Sequence, residues 1–317
     1  MKILVTGGAG FIGSHAVDAY VKKGHEVAIV DNLSTGKREN LNPKAKFHRA
    51  DIRSKKAKEI IASFKPDIIN HHAAQISVPL SVENPLLDAD INIMGLLNIL
   101  EAARAGKTKK IIFSSTGGAI YGEAKEFPTP ETSPPKPLSP YAVTKAAGEN
   151  YIASYSRQFG LDYTILRYSN VYGPRQIPHG EAGVVSIFIE RLLSNKPCTI
   201  YCYSGQPKGM TRDYCYVGDV AKANILALKK GGREVLNIGT GIETPTTDLF
   251  EAIYGPLEKN VRRLASLKNP KKGPARAGDI KRSCLDAEKA EKVLGWKARV
   301  NLKEGIEKTV EWYLKKR

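Results

Sequence analysis

Tyr141 and Lys145 have the residue types and the spacing of an acid–base pair, and both lie in the segment SPYAVTK. Residues four apart lie on one face of a helix, and Ser139 and Pro140 suit the N-cap and the first position of one. A free phenol loses its proton only near pH 10. Because a neighbouring ammonium and the positive helix N-terminus both favour the phenolate, the pattern predicts proton transfer by Tyr141 with Lys145 lowering its pKa.

Tyr121 and Lys125 repeat the four-residue spacing. They precede the segment FPTP at 127–130, which cannot continue a helix, because proline lacks a backbone donor and clashes with the preceding turn. The two side chains therefore need not share a face, and we assign the chemistry to Tyr141 and Lys145.

Hydroxyl side chains follow an apolar strand in the segment FSSTGGAIYGE, residues 113–123. A strand that ends in Ser115 and Thr116 either begins an ordinary turn or holds a polar substrate. Two glycines come next, and no titratable side chain occurs before Tyr121. If this strand end lies beside Tyr141, its hydroxyls are in a position to bind the group that loses the proton.

Gly7, Gly10 and Gly13 lie between the first apolar strand and the first helix, in LVTGGAGFIGSHAV. A dinucleotide site requires a tight turn there, a close backbone approach to the pyrophosphate, and free N–H groups at the helix N-terminus. The spacing is GxxGxxG rather than the GxGxxG fingerprint. Its position between a strand and a helix at the start of an alternating chain predicts a dinucleotide cofactor.

Asp31 closes the second predicted strand. A carboxylate at this point accepts hydrogen bonds from the ribose hydroxyls and repels a 2′-phosphate, which favours NAD over NADP. Lys37 and Arg38 follow closely and could tolerate a phosphate, so NADP remains an alternative from the residues alone.

Strands and helices alternate through the first 170 residues. The predicted strands are Ile3–Thr6, Glu26–Val30, Ala45–His48, Asp67–His71, Lys110–Ser114 and Asp162–Tyr168, and the predicted helices are Phe11–Lys23, Ser54–Phe64, Pro85–Ala105 and Pro140–Phe159. This alternation indicates a parallel sheet with right-handed crossovers. After Tyr168 the pattern is irregular, but 219–230 is helical, 234–241 is strand-like, and the tail 301–317 places apolar residues on one helical face.

The composition is that of an ordinary globular protein, and it argues against several classes. The net charge is +17, but the basic residues are spread along the chain and no nucleic-acid-binding signature occurs, so we expect no nucleic-acid partner. No apolar run is long enough for a membrane span. The four cysteines match no disulfide framework or common zinc pattern, so we expect free thiols and no metal.

Several motifs together resemble one enzyme family. GxxGxxG, HHAAQ, SSTGGAIYG, YxxxK and RYSNVYGPRQ are similar to the motifs of the extended short-chain dehydrogenase/reductases. Through TRDYCYV, LNIGTG, RAGDI and DAEKAEKVLGW the likeness extends over nearly the full length. Within the nucleotide-sugar branch of that family, the chain looks most like the UDP-glucose 4-epimerases.

The resemblance implies an isomerase that interconverts UDP-glucose and UDP-galactose with NAD that stays bound. In such epimerases the tyrosine, here Tyr141, removes the proton of the sugar 4-hydroxyl while hydride passes from C4 to NAD⁺. The 4-keto sugar then turns and takes the hydride back on its other face. Lys145 would tune the tyrosine and hold the nicotinamide ribose. Alignment from Phe113 gives the O4 contact to Thr116, but the segment is one residue longer than the commoner SSSATVYG, so Ser115 stays a competitor.

The same resemblance implies two sets of binding residues. The implied cofactor-binding residues are Gly7, Gly10, Phe11, Ile12, Gly13, Asp31, Asn32, Ser34, Thr35, Gly36, Asp51, Ile52, Ala73, Ala74, Gln75, Asn92, Tyr141, Lys145 and Tyr168. The implied substrate-binding residues are Thr116, Tyr141, Asn170, Val185, Thr199, Tyr201, Arg212, Arg276 and Asp279. Among them, the two arginines would bind the diphosphate, because a planar guanidinium suits phosphate oxygens.

Two departures from the family pattern bear on the substrate. The segment from Tyr201 to Arg212 is longer than the usual YGDGxQTR form, which predicts an altered uridine pocket or rim. Ser283 falls where the family varies a side chain near the sugar 2-substituent. Since a small residue leaves room for an N-acetyl group, we hypothesise that UDP-GlcNAc and UDP-GalNAc are also substrates.

Related enzymes of the same fold are the alternatives. Sugar-nucleotide 4,6-dehydratases and UDP-glucuronate decarboxylases need further acid–base groups, and they carry TDE or TSE where this chain has Gly117, Gly118 and Ala119. A UDP-glucuronate 4-epimerase needs no such group and stays open. From a different class, a catalytically idle nucleotide-binding protein is also consistent with the fold.

The resemblance also implies the overall organisation. We expect an α/β fold, with a Rossmann-like doubly wound parallel sheet and a smaller α/β C-terminal lobe that binds the substrate. The NAD-binding domain would comprise residues 1–170 with about 217–241, and the substrate lobe residues 171–216 and 242–317. We further expect a cytoplasmic homodimer.

Overall fold

Parallel strands form the centre of the molecule, whose computed structural model describes residues 1–178, 183–261, 264–275 and 279–316. The strands are β1 (Lys2–Thr6), β2 (Glu26–Asp31), β3 (Lys46–Arg49), β4 (Ile68–His71), β5 (Lys110–Thr116), β6 (Asp162–Tyr168), β7 (Asn170–Tyr172), β8 (Thr199–Cys202), β9 (Thr211–Arg212), β10 (Tyr214–Tyr216), β11 (Glu234–Ile238), β12 (Thr244–Pro245), β13 (Lys271–Pro274) and β14 (Arg282–Ser283).

Helices flank the strands. They are α1 (Phe11–Lys22), α2 (Lys55–Phe64), α3 (Val78–Glu83), α4 (Pro85–Ala89), α5 (Gly95–Ala105), α6 (Gly117–Ile120), α7 (Pro140–Phe159), α8 (Val184–Leu193), α9 (Val217–Ala227), α10 (Thr246–Asn260), α11 (Glu288–Leu294) and α12 (Leu302–Lys315). Short 3₁₀ turns cover Arg38–Asn40 and Ala265–Leu267.

Seven strands form one parallel sheet in the order β3-β2-β1-β4-β5-β6-β11. From β1 the chain adds β2 and β3 on one side, then crosses to β4 and continues on the other side. The sheet order therefore reverses between β1 and β4, and a crevice at the carboxyl ends of the strands beside such a reversal is where nucleotides bind in this architecture. The predicted doubly wound parallel sheet is confirmed.

Helix α7 begins and ends as its sequence predicts. The Ser139 hydroxyl accepts a hydrogen bond from the backbone N–H of Ala142 at 3.3 Å, and Pro140 occupies the first helical position. Gly160, with φ 74°, ends the helix in the left-handed conformation that favours glycine. This start places Tyr141 in the first turn and Lys145 one turn later.

The predicted helix Pro85–Ala105 is wrong in one detail, because a π-helical turn at Asp90–Met94 separates α4 from α5. The prediction also missed α3, which starts at a Ser77 cap that accepts from the N–H of Leu80 at 3.3 Å. The π turn holds the buried Asn92, whose side chain bonds the loop after β4. Contacts distant in sequence of this kind leave no periodic signal.

Two large apolar clusters support the sheet and the segments after it. One lies under α1, α9 and the sheet, and the other is built mainly by α8, α10, α12 and β8. Helix α12 buries Ile306 and Val310, as its pattern predicts. Trp296, within the predicted substrate lobe, packs in the first cluster and donates its indole N–H to the carbonyl of Asp219 at 2.8 Å. The chain after residue 286 therefore returns to the sheet before it forms α12.

Candidate active site

A cavity of about 680 Å³ opens at the carboxyl ends of the central strands. Most of the predicted site residues line it: Gly7, Gly10, Phe11, Ile12, Gly13, Asp31, Asn32, Ser34, Thr35, Asp51, Ile52, Ala73, Ala74, Gln75, Ser115, Thr116, Tyr141, Lys145, Tyr168, Asn170 and Val185. The structure thus brings together, around one cavity, residues that lie far apart in the chain.

The glycine turn between β1 and α1 has no room for side chains. Gly7 has φ +69°, and a Cβ on it would lie 2.6 Å from the backbone nitrogen of Ala73. A Cβ on Gly13 would lie 2.3 Å from the carbonyl oxygen of Gly7. Gly10 caps α1 with no side chain bonded to the first turn, and that turn carries no acidic residue. Free N–H groups at a helix N-terminus suit a phosphate anion, so the turn fits the pyrophosphate of a dinucleotide.

Asp31 projects into the cavity from the end of β2, and its two oxygens accept backbone N–H groups from Ala9 at 3.0 Å and Leu33 at 2.8 Å. Burial raises its pKa, and the two backbone hydrogen bonds oppose that rise. A Cβ on Gly36 would lie 2.9 and 3.0 Å from the two carboxylate oxygens. Gly36 therefore leaves open the space beside the carboxylate that a ribose needs.

Asp51 lines the cavity beside the loop after β2. It accepts hydrogen bonds from Arg53 Nη2 at 2.7 Å and from Asn32 Nδ2 at 3.1 Å. The bond to the Arg53 guanidinium holds the pKa of this carboxyl well below its usual range. An ionised, immobilised carboxylate there can accept hydrogen bonds from the amino group of a base.

Tyr141 and Lys145 meet the end of β5. The Tyr141 hydroxyl lies beside Thr116, whose side chain acts on its pKa, and Lys145 Nζ donates to the carbonyl of Ser114 at 2.8 Å while it lies 4.9 Å from the centre of the Phe113 ring. Burial raises the pKa of Tyr141 to about 12, against the smaller effect of the Thr116 hydrogen bond. Burial also lowers the pKa of Lys145 to about 8.

These directions differ from the expectation that Lys145 lowers the pKa of Tyr141. In the protein by itself, the cost of placing a phenolate in a buried site is the largest effect on the pKa of Tyr141. A positive charge bound in the cavity would oppose that rise.

Ser115 and Thr116 have different partners, although both line the cavity. The Ser115 hydroxyl donates to Glu149 Oε1 at 2.5 Å. Glu149 is in turn paired with Arg167 through two hydrogen bonds of 2.9 and 2.6 Å, and all three side chains are buried. The Ser115 hydroxyl is therefore engaged in a structural network, whereas Thr116 contacts Tyr141.

Tyr121 and Lys125, the second pair with the four-residue spacing, do not share a helix face, because α6 ends at Ile120. The Tyr121 hydroxyl is buried, donates to Asn237 Oδ1 at 2.8 Å and accepts from Arg167 Nη1 at 2.8 Å. Lys125 is exposed. The prediction that this pair has no catalytic alignment is confirmed.

Gly117 and Gly118 follow β5 at the position where the family resemblance implies carboxylates in dehydratases and decarboxylases. A Cβ on Gly117 would lie 2.4 Å from Leu285 Cδ1, so a side chain there requires Leu285 to move. A Cβ on Gly118 would point toward Asn170 Oδ1, at 3.3 Å, and Thr116 Oγ1, at 3.9 Å. The absence of a side chain at Gly118 therefore leaves the space beside Thr116 open.

The remaining predicted residues lie beyond the lining of this cavity. Gly36 and Asn92 stand behind lining residues, and Thr199 and Tyr201 lie in β8. Arg212 is partly buried, and burial lowers its pKa. The backbone carbonyl of Asp279 accepts a hydrogen bond from the Tyr203 hydroxyl. Arg276 lies outside the described residues.

The long segment from Tyr201 to Arg212 folds back beside Asp279. Gly205 and Gly209 both have φ +79°, which allows its two tight turns. Lys281 Nζ lies 5.2 Å from the centre of the Tyr203 ring. The additional residues thus lie beside Asp279 and Lys281, just before β14, which carries Ser283.

Several lining residues were missed. His72 stacks on Tyr168 with ring centres 6.3 Å apart, and burial lowers its pKa to about 3, so the ring is neutral. Arg175 and Gln176 also line the cavity. The position of His72 directly after a buried strand was a usable signal, whereas Arg175 and Gln176 lie in a loop without periodicity.

Membrane-spanning helices and metal-binding clusters are both absent from the described part of the chain. None of its helices is long and apolar enough to cross a membrane. Within it no cluster of three or more His, Cys, Asp or Glu side chains could hold a metal ion. The four cysteines are free thiols.

Comparison with known proteins identifies the family. Residues 3–239 match the NAD dependent epimerase/dehydratase family. The chain is 44% identical to the UDP-glucose 4-epimerase of Mycolicibacterium smegmatis, over 100% of this chain and 99% of the relative. A Thermotoga maritima UDP-glucose 4-epimerase structure with UDP-glucose matches with a TM-score of 0.93 and 48% identity, covering 100% and 99% of the two chains.

A third similarity carries a different substrate name. The structure of UDP-N-acetylglucosamine 4-epimerase from Methanobrevibacter ruminantium, in complex with UDP-N-acetylmuramic acid, matches with a TM-score of 0.90 and 36% identity, covering 100% and 99% of the two chains. The family match, the full-length similarities and the cavity with its glycine turn agree. The chain belongs to the NAD dependent epimerase/dehydratase family.

Proposed function

We propose that this protein is an NAD-dependent UDP-sugar 4-epimerase that interconverts UDP-glucose and UDP-galactose. The observation that carries the proposal is that Thr116 and Tyr141 lie together at the cavity wall, with Lys145 one helical turn away. The 44–48% identity to UDP-glucose 4-epimerases over the whole chain supports the same substrate class.

The proposed chemistry assigns one proton transfer to the protein. Tyr141 removes the proton of the sugar 4-hydroxyl, and Thr116 holds the oxygen by a hydrogen bond that also orients the phenol. When bound, NAD⁺ would supply the hydride acceptor and donor for C4 and a positive charge beside the phenol. Lys145 helps to hold the cofactor ribose and adds its own charge while protonated. These charges favour the phenolate, which burial by itself disfavours.

Binding is proposed for the residues named from the family motifs. The glycine turn would hold the pyrophosphate of the cofactor, Asp31 its adenosine ribose, and Asp51 its adenine. On the substrate side, Asn170 and Arg212 would bind the UDP diphosphate together with Arg276. A partly buried guanidinium is suited to this role because a bidentate contact to phosphate offsets its cost of burial.

The wall at residues 117 and 118 favours epimerisation over dehydration or decarboxylation. Those reactions need a further acid or base near C5 or C6. Gly117 has no space for a side chain, and Gly118 supplies none. Oxidation at C4 would therefore be followed only by return of the hydride, on either face of the sugar. A uronate substrate would undergo the same epimerisation, so it is one arm of the test below.

The test incubates the purified protein with UDP-galactose, without added reductant, and measures UDP-glucose. We expect conversion to an equilibrium mixture by the wild type and none by Tyr141→Phe, with NAD still bound to the variant. UDP-glucuronate is tested in parallel. Full activity of Tyr141→Phe would refute the mechanism, and conversion of UDP-glucuronate alone would refute the assignment to UDP-hexoses.

A second substrate class is favoured by Ser283. This small, buried residue lies in β14 and pairs with Arg212 of β9 in the register of the strands. A small residue beside the proposed substrate site leaves room for an N-acetyl group, and a similar structure is a UDP-N-acetylglucosamine 4-epimerase. We expect turnover of UDP-GlcNAc to UDP-GalNAc. No turnover under conditions that convert UDP-galactose would remove this activity from the proposal.

We also propose the domain organisation and the oligomeric state that were expected from the sequence. Residues 1–170 with about 217–241 would form the NAD-binding domain, and 171–216 with 242–317 the substrate lobe. We propose that the protein is a cytoplasmic homodimer. The dimer is supported by helices α3, α4 and α7, which pack against one another and carry the exposed apolar side chains of Val82, Leu86, Val143 and Tyr151. Light scattering tests the dimer, and a monomer at micromolar concentration would contradict it.

A further inference from the structure

Asp88 is a fully buried carboxylate in α4, beneath the cavity. Its Oδ1 accepts hydrogen bonds from the side-chain amides of Gln75, at 2.7 Å, and Asn92, at 3.1 Å. Its Oδ2 accepts from the hydroxyl of Thr144 at 2.8 Å. All three partners are uncharged donors, so both carboxylate oxygens are hydrogen-bonded and no cation is among these contacts.

The three partners belong to parts of the site that must keep a fixed relation. Gln75 lines the cavity in the loop after β4, and Thr144 lies in α7 between Tyr141 and Lys145. Asn92, in the π turn, accepts from the Gln75 N–H at 2.9 Å and donates to its carbonyl at 3.0 Å. π turns occur often at functional sites, and this one brings the Asn92 amide to the loop, to Asp88 and to Thr144.

The charge of Asp88 differs from that of the second buried carboxylate near Lys145. Glu149 is paired with Arg167 through two hydrogen bonds, so much of its charge is compensated. Asp88 has only neutral hydrogen-bond donors. Its field therefore reaches the two proton-carrying groups of α7: it raises the pKa of Lys145 more than Glu149 does, and it also raises the pKa of Tyr141.

We propose that Asp88 is a positioning residue that ties α7 to the loop after β4 and places a negative charge, hydrogen-bonded only by neutral donors, near Tyr141 and Lys145. This inference rests on the proposed function, because it gives those two residues the proton transfer. The charge keeps Lys145 an ammonium inside a buried site. It also holds the phenol neutral until the positive charges of the loaded site are present.

The other charged groups around this site are accounted for. His71 at the end of β4 and His72 directly after it lie near Lys145 and have pKa values lowered to about 3, so both are neutral at working pH. Arg167 of β6 is engaged by Glu149. On the side of α4, the exposed Asp90 is paired with Arg53 at 2.6 Å. A neutral substitution of Asp88 would therefore remove a buried negative charge from the surroundings of Tyr141 and Lys145.

The test is Asp88→Asn, with Asp90→Asn as the matched control. Asp90 undergoes the same substitution two residues away, on the exposed surface and outside the site. Tyrosinate formation is followed by ultraviolet difference titration, and the contribution of Tyr141 is isolated by repeating each titration with Tyr141→Phe added. The pH profile of UDP-galactose conversion and the melting temperature are measured on the same proteins. If the Asp88→Asn variant does not fold, Asp88→Ser serves as a second neutral variant. Asp88→Glu tests whether a restored negative charge returns the titration to its wild-type position.

Loss of the negative charge should lower the pKa of both groups. We expect the Tyr141 titration and both limbs of the activity profile to move to lower pH by about half a unit or more in the neutral variants. Asp90→Asn should move neither, and Asp88→Glu should restore the wild-type position. A rate reduced equally at all pH, with an unchanged Tyr141 titration, would overturn the proposal. The titration needs no turnover, so an inactive wild type would refute the proposed function and leave this inference to be decided by the titration.

Discussion

Replacement of Thr116 by valine is the sharpest test of the assignment at the end of β5. Valine keeps the branched shape of threonine and removes the hydroxyl that contacts Tyr141. The matched change is Ser115→Ala, which removes the neighbouring hydroxyl that bonds Glu149 at 2.5 Å. Both hydroxyls lie in the same strand, so the pair separates a role in the reaction from a role in the fold.

The size of each effect follows from the partner that is lost. During proton transfer the oxygens near Thr116 carry developing negative charge, and a hydrogen bond to a charged group is worth about 1.5–3 kcal/mol. At about 1.36 kcal/mol per tenfold in rate, Thr116→Val should lower kcat about 10- to 150-fold. Because the Thr116 hydrogen bond lowers the pKa of Tyr141, the variant should also need a higher pH to reach its full rate.

Ser115→Ala should instead affect stability. It removes one donor from a buried carboxylate that keeps its two bonds to Arg167, at a cost of about 1–3 kcal/mol in the free energy of unfolding. Its kcat should stay within about threefold of the wild type, since less than about 0.7 kcal/mol of the barrier is involved.

The assay follows UDP-glucose formation from UDP-galactose across pH, with melting curves on the same samples. Thr116→Ser, which retains the hydroxyl, should restore most of the rate that Thr116→Val loses. The reasoning is refuted if Ser115→Ala lowers kcat as much as Thr116→Val does, or if the serine at position 116 fails to restore activity.

Three further changes test the surrounding structure. Gly117→Ala places a Cβ 2.4 Å from Leu285 Cδ1 and should lower the free energy of unfolding by about 1–3 kcal/mol, which a lower melting temperature would show. In Gly118→Ala the nearest atom to the new Cβ is 3.3 Å away, so this variant should not show that loss of stability. Arg167→Met leaves the buried carboxylate partner unpaired and should cost about 3–5 kcal/mol in a denaturant titration; a cost below 1 kcal/mol would contradict it. Burial lowers the pKa of His72 to about 3, so the unfolded chain binds more protons than the folded chain below about pH 6.5. The free energy of unfolding should therefore decrease as the pH is lowered below about 6.5. A His72→Gln variant should show a smaller decrease.

The sequence predicted the parts of the site that have local causes. Strand and helix periodicity located the sheet, and the Ser139-Pro140 start fixed the phase of α7, so Tyr141 and Lys145 could be placed on one face. Glycine spacing predicted the cofactor turn, because only residues without a Cβ fit where Gly7 and Gly13 lie.

Contacts between distant segments could not be predicted in the same way. Thr116 and Ser115 are neighbours with nearly the same chemistry, and their different partners depend on how β5 packs against α7 and β6. The π turn arises where Asn92 reaches the loop at Gln75, a contact that no periodicity records. The direction of the Tyr141 pKa shift depends on burial, which the spacing of two residues does not contain.

The edge position of β11 has a consequence for how the chain is made. This strand pairs with β6, yet β7 to β10 and two helices are synthesised between them. Until residues 234–238 leave the ribosome, β6 presents an open edge beside apolar side chains that β11 later covers. Such an edge is a template for pairing with another chain. A fragment ending at residue 230 should therefore associate in light scattering, whereas the full chain should not aggregate, which makes completion of the sheet a late and vulnerable step of biosynthesis.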